Sequence, residues 1–376
     1  MANNQQHLNM VDVYQLALTK VSGIGTRTAQ EIVKNLGSAR ALFEEKEANL
    51  RIIFRNKEKT IRDIVSRKMF GICEKEIDFM QKYGIESYFF TDGNYPSRLK
   101  EIPDKPVCLF VQGQGNVEAK RTAAIVGSRR CSDYGRIMTE TIVNELQKYG
   151  VSVISGLAYG IDSAAHRACI ARNIPTFGVL AHGLDRVYPA AHFELARQMC
   201  EMQGGLVTEY FTGTTPFPSF FPARNRIIAG LSDVVIVVEA SKTGGALLTA
   251  RLANDYNREV MALPGRLGDA NSQGCNFLIE SNRAHILSDV SSIAKLMSWN
   301  ETESEKTAKP VVEDKGSGLK GAEKQVYYAI KQAGETDVDT LLAKTSMPYN
   351  ELSAALLNLE LSDCVIAKPG KVYKAL

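Results

Sequence analysis

The residues best equipped for chemistry lie in five loops, each following a short β-branched run. The first is Gly127-Ser128-Arg129-Arg130 and the second Ser155-Gly156-Leu157-Ala158-Tyr159-Gly160. The third ends in Gly183, the fourth leads to Pro222-Ala223-Arg224-Asn225-Arg226, and the fifth to Ser241-Lys242-Thr243-Gly244-Gly245. Four of them combine small residues with hydroxyls, amides or cations, and that mixture suits anion binding. Glycine lets a phosphate oxygen approach the backbone, and successive N–H groups there form a nest. Each loop opens a helix, whose N-terminus adds free donors and a partial positive charge. Arg129, Arg224, Arg226 and Lys242 add full charges, arginine with a fork that matches phosphate. A lone Gly-Ser turn or a lone arginine is commonplace in any α/β protein. Four such loops on one edge point to a polyanion or nucleotide site.

Several chemistries are excluded by what is missing. GSRRCS stands after the first run where a dinucleotide fingerprint would read G-x-G-x-x-G, and no G-x-x-x-x-G-K-[ST] occurs. Asp162 opens a helix in GIDSAAH and reads as its N-cap rather than a base. His166 reads as a packing or local capping residue. His7, His182, His192 and His285 form no ligand pattern, and the seven cysteines include no C-x-x-C pair. Neither a metal nor another cofactor is expected.

The loops need a scaffold that brings them together. From Arg121 to about Ser288, the runs TAAIVG, VSVIS, PTFGVL, GLVTEY, DVVIVVEA and EVMALPG alternate with amphipathic helical patterns. Runs this apolar predict a parallel sheet buried on both faces, in a Rossmann-like doubly wound α/β domain over 91–299. Ligands of such sheets sit outside the C-terminal ends of the strands, where the five loops fall. Residues 1–90 read as a separate helical domain, with Val13, Leu16, Ala17, then Ile32, Val33, Leu36 at helical spacing. The charged stretch NETESEKTAKPVVEDKGSG, 300–318, reads as a mobile linker. Residues 319–376 show three helical patterns and two short strands, a winged helix-turn-helix. Basic and acidic residues number 45 and 42, a net charge of +3 too small to imply nucleic acid by itself. No stretch approaches the roughly 20 apolar residues of a membrane span, and the N-terminus lacks an apolar signal core, so a cytoplasmic protein is expected.

The motifs themselves carry a resemblance. VGSRRCSDYG, SGLAYGIDSAAHRA, GLDRVYPAAH, FPARNRIIAGLSDVVIVVEA, GGALLTARLA and ALPGRLGDANSQGCNFLI, in that order, closely resemble the DNA-processing protein A (DprA/Smf) family. The likeness is strong from Asp92 to Ile279 and looser on either side. It implies a homodimer that binds and protects single-stranded DNA without sequence preference and does no catalysis. It further implies loading of the RecA recombinase during natural transformation, often alongside single-strand binding protein. The family's pocket maps onto Gly127, Ser128, Arg129, Ser155, Gly156, Arg224, Asn225, Arg226, Lys242 and Gly244, with a phosphate-contacting role. Tyr159, Phe217, Phe220 and Phe221 lie in or beside these loops, either to stack on bases or to pack the loops. His192 stands where the family commonly has asparagine, and Ser281-Asn282-Arg283-Ala284 replaces its usual Gly-Ala.

The flanking segments leave alternatives. Val21–Ala29 has the h-x-G-h-G-x-x-x-A form of a helix-hairpin-helix, of the SAM-like kind, so Gly23 and Gly25 offer a second DNA contact or a purely structural hairpin. In the winged helix, 348–361 carries Glu351 and Glu360 but no lysine or arginine, which favours a structural or protein-contact role over groove reading. Two other readings of the sheet remain. A phosphoribohydrolase similar to the Lonely Guy enzymes would need a carboxylate after the glycines, where SKTGGALLTARL has none. A nucleotide-sensing adaptor would bind a mononucleotide tightly and oligo-dT poorly.

Overall fold

The computed structural model describes residues 10–300 and 319–376, apart from positions 363, 369, 371 and 376. Residues 301–318 of the expected linker lie outside the described residues. What is described forms two compact units, divided within that stretch.

The first unit is built on a nine-stranded sheet. Its strands are β1 (Glu86–Phe89), β2 (Cys108–Gln112), β3 (Thr122–Val126), β4 (Ser152–Ser155), β5 (Thr176–Val179), β6 (Gly205–Thr208), β7 (Val234–Val237), β8 (Glu259–Ala262) and β9 (His285–Ile286). Their order is β1-β2-β6-β5-β4-β3-β7-β8-β9. From β6 to β9 every neighbour is parallel, while β1 and β2 add antiparallel at one edge. The six expected runs are β3 to β8. The edge pair and β9 were not expected, because β1 and β2 lack the helical crossover that marks a parallel strand.

The central strands are buried along their length because successive residues serve two cores. Ala124 and Val126 face one apolar cluster with Ile227 and Ile228 of the helix Phe220–Gly230 and Ala250 and Ala253 of the helix Gly245–Asp255. Ala123 and Ile125 face another, with Ile142, Val143 and Leu146 of the helix Asp133–Gln147 and Ala165 and Cys169 of the helix Ile161–Ala171. Period-2 alternation with both faces covered gives continuous apolar runs. The chain moves outward from β3 in both directions, to β4 on one side and β7 on the other. The loops after these strands therefore part at β3, leaving a crevice where ligands of such sheets bind.

Six helices between Val13 and Tyr83 enclose their own apolar cluster, closed by Phe89, Cys108, Phe110 and Phe211 from the edge of the sheet. The second unit has helices Gly321–Ala333, Val338–Thr345 and Tyr349–Leu361 and an antiparallel sheet of β10 (Glu335–Asp337), β11 (Val365–Lys368) and β12 (Val372–Ala375), ordered β10-β12-β11. Leu352, Ala355, Leu356 and Leu359 fill its core with Val326, Tyr327 and Ile330. Among the described residues, no helix is long and apolar enough to cross a membrane.

Candidate nucleic-acid interface

A cleft of about 600 Å³ opens at the parting of the loops after β3 and β7. Gly127 leaves β3 where a Cβ would lie 2.6 Å from Ile161 Cγ1, so only glycine allows the close approach. The next two residues are pinned from behind. Ser128 O accepts the Ile161 N–H at 3.1 Å, and Gly160, at φ +77°, sits where a Cβ would lie 2.1 Å from Ser128 O. The Arg129 side chain is left exposed above the cleft, its guanidinium 5.4 Å from the Phe221 ring centroid. On the facing side, Gly244 is the N-cap of the helix Gly245–Asp255 and no side chain caps that end. The Gly244 amide donates to Ser241 O and that of Leu247 to Gly244 O, which leaves the Gly245 and Ala246 amides as donors beside a positive dipole end. The helix ends after β3 and β4 are different. Ser132 caps the Asp133–Gln147 helix with its own hydroxyl, and the Ile161 and Ser163 amides bond to Ser128 O and Ala158 O.

The ten candidate contacts divide sharply. Gly127, Ser128, Arg129, Asn225 and Gly244 line the cleft. Lys242 is exposed on the turn between Ser241 and Gly244 but does not itself line it. Ser155 is buried, its hydroxyl donating to Ile125 O at 2.6 Å. Gly156 is buried as well, its N–H donating to Asp162 Oδ2 at 3.1 Å. Arg226 was expected to be a free cation, but its guanidinium is ion-paired with Glu209 and nearly buried. Arg224 reaches the cleft floor yet is only 4% exposed, and Nη1 donates to Gly156 O at 2.7 Å and to Val179 O. The expected row of four free cations is therefore reduced to Arg129 and Lys242. Asp162 is not the N-cap of its helix: that position is Gly160, and the carboxylate instead accepts from the Gly156 and Ala158 amides.

Burial sets the electrostatics below the floor. It pushes the Asp162 carboxyl above its usual range, against the pull of Arg224's charge. It also brings the Arg224 guanidinium down to about 10, opposed by Asp162. His166 lies fully buried in the helix behind, with Nδ1 2.7 Å from Thr176 Oγ1, and burial holds it down to about 3. His192 packs edge-on to Tyr159, with Nδ1 2.9 Å from Leu157 O.

The aromatic residues both pack and project. Phe220 stacks on Tyr210 at 4.7 Å, while Phe217 beside it is 58% exposed. Phe221 lies between Arg129 and Tyr188, with 5.8 Å between its centroid and that of Tyr188. Tyr188 lines the cleft and is half exposed, yet nothing in the sequence reading singled it out. Its position in GLDRVYPAAH, one of the matched motifs, was the available signal. At the N-terminal hairpin, Gly23 (φ +82°) and Gly25 are exposed, but the Ser22 N–H donates to Asp63 Oδ2 at 3.1 Å. A carboxylate thus stands where a phosphate would accept from that amide.

The sheet order, the cleft at its parting point and the winged helix define a Rossmann-like α/β protein with an appended winged-helix unit. Residues 86–298 match the family described as DNA recombination-mediator protein A, and 313–371 match the DprA winged helix domain. Protein Smf of Synechocystis sp. is 33% identical over 417 residues, covering 100% of both chains. DNA processing protein DprA of Streptococcus pneumoniae is 41% identical over 194 residues, 52% of this chain and 68% of that protein. The X-ray structure of the S. pneumoniae DprA superposes with a TM-score of 0.68 at 31% identity, covering 78% of this chain and 99% of that one. A structure of DNA processing protein A from Helicobacter pylori, described for its single-stranded DNA binding mode, gives 0.53 at 28% identity, over 58% and 98%. The chain belongs to the DprA/Smf family.

Proposed function

We propose that this chain binds single-stranded DNA without sequence preference, protects it, and passes it to the RecA recombinase in natural transformation, without catalysis. The observation that carries the DNA reading is the geometry around Arg129. An exposed guanidinium is held over a cleft whose opposite wall is an uncapped helix N-terminus, with Phe221 and Tyr188 beside it. Such a site takes hold of a phosphodiester backbone through charge and amides, and offers ring faces to any base. Binding of this kind reads no sequence. The H. pylori relative, described for its single-stranded DNA binding mode, supports the same reading. Transfer to RecA, alongside single-strand binding protein, and homodimerisation are proposed from the resemblance to the family alone. Two clefts on one strand would raise affinity through linked binding.

The carboxylates at the floor favour binding over hydrolysis. Glu239 accepts from the Ser132 N–H at 3.0 Å and from its hydroxyl, and Asp162 accepts from two loop amides. Both are committed to holding loops, whereas a general acid or base must face its substrate.

Fluorescence anisotropy with labelled oligo-dT tests this function. Wild type binds, Arg129→Ala and Lys242→Ala each bind more weakly on every sequence, and thymidine monophosphate competes poorly. A mononucleotide that displaces oligo-dT at equal concentration, or that is hydrolysed, would mean a nucleotide sensor or an enzyme instead.

A further inference from the structure

The buried arginine beneath the cleft has no part in that reading as a ligand, yet it is tied to everything that shapes the rim. Arg224 bridges two strand ends, donating to Gly156 O after β4 and to Val179 O at the end of β5. Gly156 is cut to fit it, since a Cβ there would lie 2.3 Å from Nη1 and 2.6 Å from Nη2. The opposite side of the same loop is held by Asp162, which accepts the Gly156 and Ala158 amides at 3.1 and 3.4 Å. Arginine thus holds a carbonyl and aspartate the amides of one short segment. That segment ends in Gly160 and Ile161, which press directly on the backbone of Ser128 and Arg129. The Arg224 Nε, which has no hydrogen-bond partner among the described residues, is sealed from solvent. A phosphate in the cleft cannot reach it without displacing the side chain.

We propose that Arg224 is a positioning residue that acts with Asp162 through the 156–161 loop to fix Arg129 for DNA, and that it does not contact phosphate. This inference rests on the DNA-binding reading for its effect on affinity, but its structural half stands apart from it. A ligand arginine and a positioning arginine lose binding in different ways. Removing a phosphate contact releases fewer counterions and makes the salt slope shallower by about 0.7 for a single strand. Removing a positioning residue weakens binding while its own contribution to the slope is nil. Both carbonyls accept from Nη1, and lysine in place of Arg224 keeps the charge but loses the planar group packed against Gly156 through Nη1 and Nη2.

The experiment compares wild type, Arg224→Lys, Gly156→Ala, Arg129→Ala and the Arg224→Lys/Arg129→Ala double variant. Oligo-dT affinity is measured across a KCl series, and amide hydrogen exchange is followed without DNA. Arg224→Lys is expected to lose about tenfold or more in affinity, the scale of a charged hydrogen bond, with a slope that shifts no further than that of Arg129→Ala. The double variant is expected to bind no worse than Arg129→Ala alone. Peptides covering 127–130 and 156–161 are expected to exchange faster in Arg224→Lys and in Gly156→Ala, while the helix Asp133–Gln147 keeps its protection. Wild-type affinity in Arg224→Lys, a double variant whose losses add and whose slope is shallower than that of Arg129→Ala, or unchanged exchange at 127–130 would overturn the proposal. Global loss of protection in Arg224→Lys passes the decision to Gly156→Ala, which displaces the guanidinium without removing it. If wild type fails to bind oligo-dT, the DNA reading falls and the exchange data alone decide whether Arg224 positions Arg129.

Discussion

Lowering the pH should destabilise the sheet through one buried imidazole. Thr176 Oγ1 donates to Val153 O at 3.1 Å, so the oxygen accepts from His166 Nδ1–H at 2.7 Å, fixing the neutral tautomer. Nε2 is then a bare, buried nitrogen with no hydrogen-bond partner among the described residues. Protonating it would place an unpaired charge in the buried interior, with the charges of His192 and Arg224 opposing it as well. The folded value is about 3 against 6.5 for the free side chain. The unfolded chain therefore takes up a proton that the folded chain refuses. Stability is complete above pH 6.5 and falls as the pH drops from there towards 3. Each unit in that window is worth about 1.4 kcal/mol, so the loss from pH 7 to pH 5 is about 2 kcal/mol from this residue alone. The assay is urea unfolding followed by the fluorescence of Trp299, the chain's single tryptophan, which packs against the core that Ala123 and Ile125 face. His166→Gln cannot titrate, so the gap between the two proteins should narrow by about 2 kcal/mol over that interval. Parallel stability curves would refute the reasoning.

Gly160→Ala combines an unfavourable backbone conformation at φ +77° with a collision against Ser128 O. It should cost about 2 to 5 kcal/mol in the same urea assay and weaken oligo-dT binding by shifting Arg129. Arg226→Met leaves the Glu209 carboxylate buried without its partner and should cost about 3–5 kcal/mol. Since burial already raises the Glu209 carboxyl, that loss should shrink as the pH falls, and the salt slope of DNA binding should stay at the wild-type value. A chain ending at Asn300 retains both sheet cores and the cleft, so it should keep the oligo-dT affinity of the full chain in anisotropy titrations.

The parts legible in the sequence were those set by short-range pattern. β3 to β8 read directly because each is a β-branched run followed by its own helix, and the winged helix read from three periodic segments and two short strands. The strands Glu86–Phe89 and Cys108–Gln112 escaped because they pair antiparallel at the edge, with no crossover helix to announce them. At the cleft, residue type was legible but direction was not. Arg129, Arg224 and Arg226 look alike as cations in small-residue loops, and only tertiary packing separates them. Glu209, which takes Arg226, stands after a different strand, and the two carbonyls that take Arg224 come from β5 and the loop after β4. Gly156 and Ser155 were likewise read as phosphate contacts when their smallness and hydroxyl serve the interior. Tyr188 went unassigned because a tyrosine before a proline has no chemistry of its own until Phe221 is seen beside it.

The exposed cations beside the cleft and one helix end, rather than a row of four pocket cations, hold the DNA strand. The salt dependence of oligo-dT binding tests that most directly, compared between wild type and Arg129→Ala. Arg129 and Lys242, with the exposed Arg130 next to them, predict a wild-type slope of log K on log salt of about −1 to −2, and a slope shallower by about 0.7 in the variant. Equal slopes and equal affinities in the two proteins would contradict it.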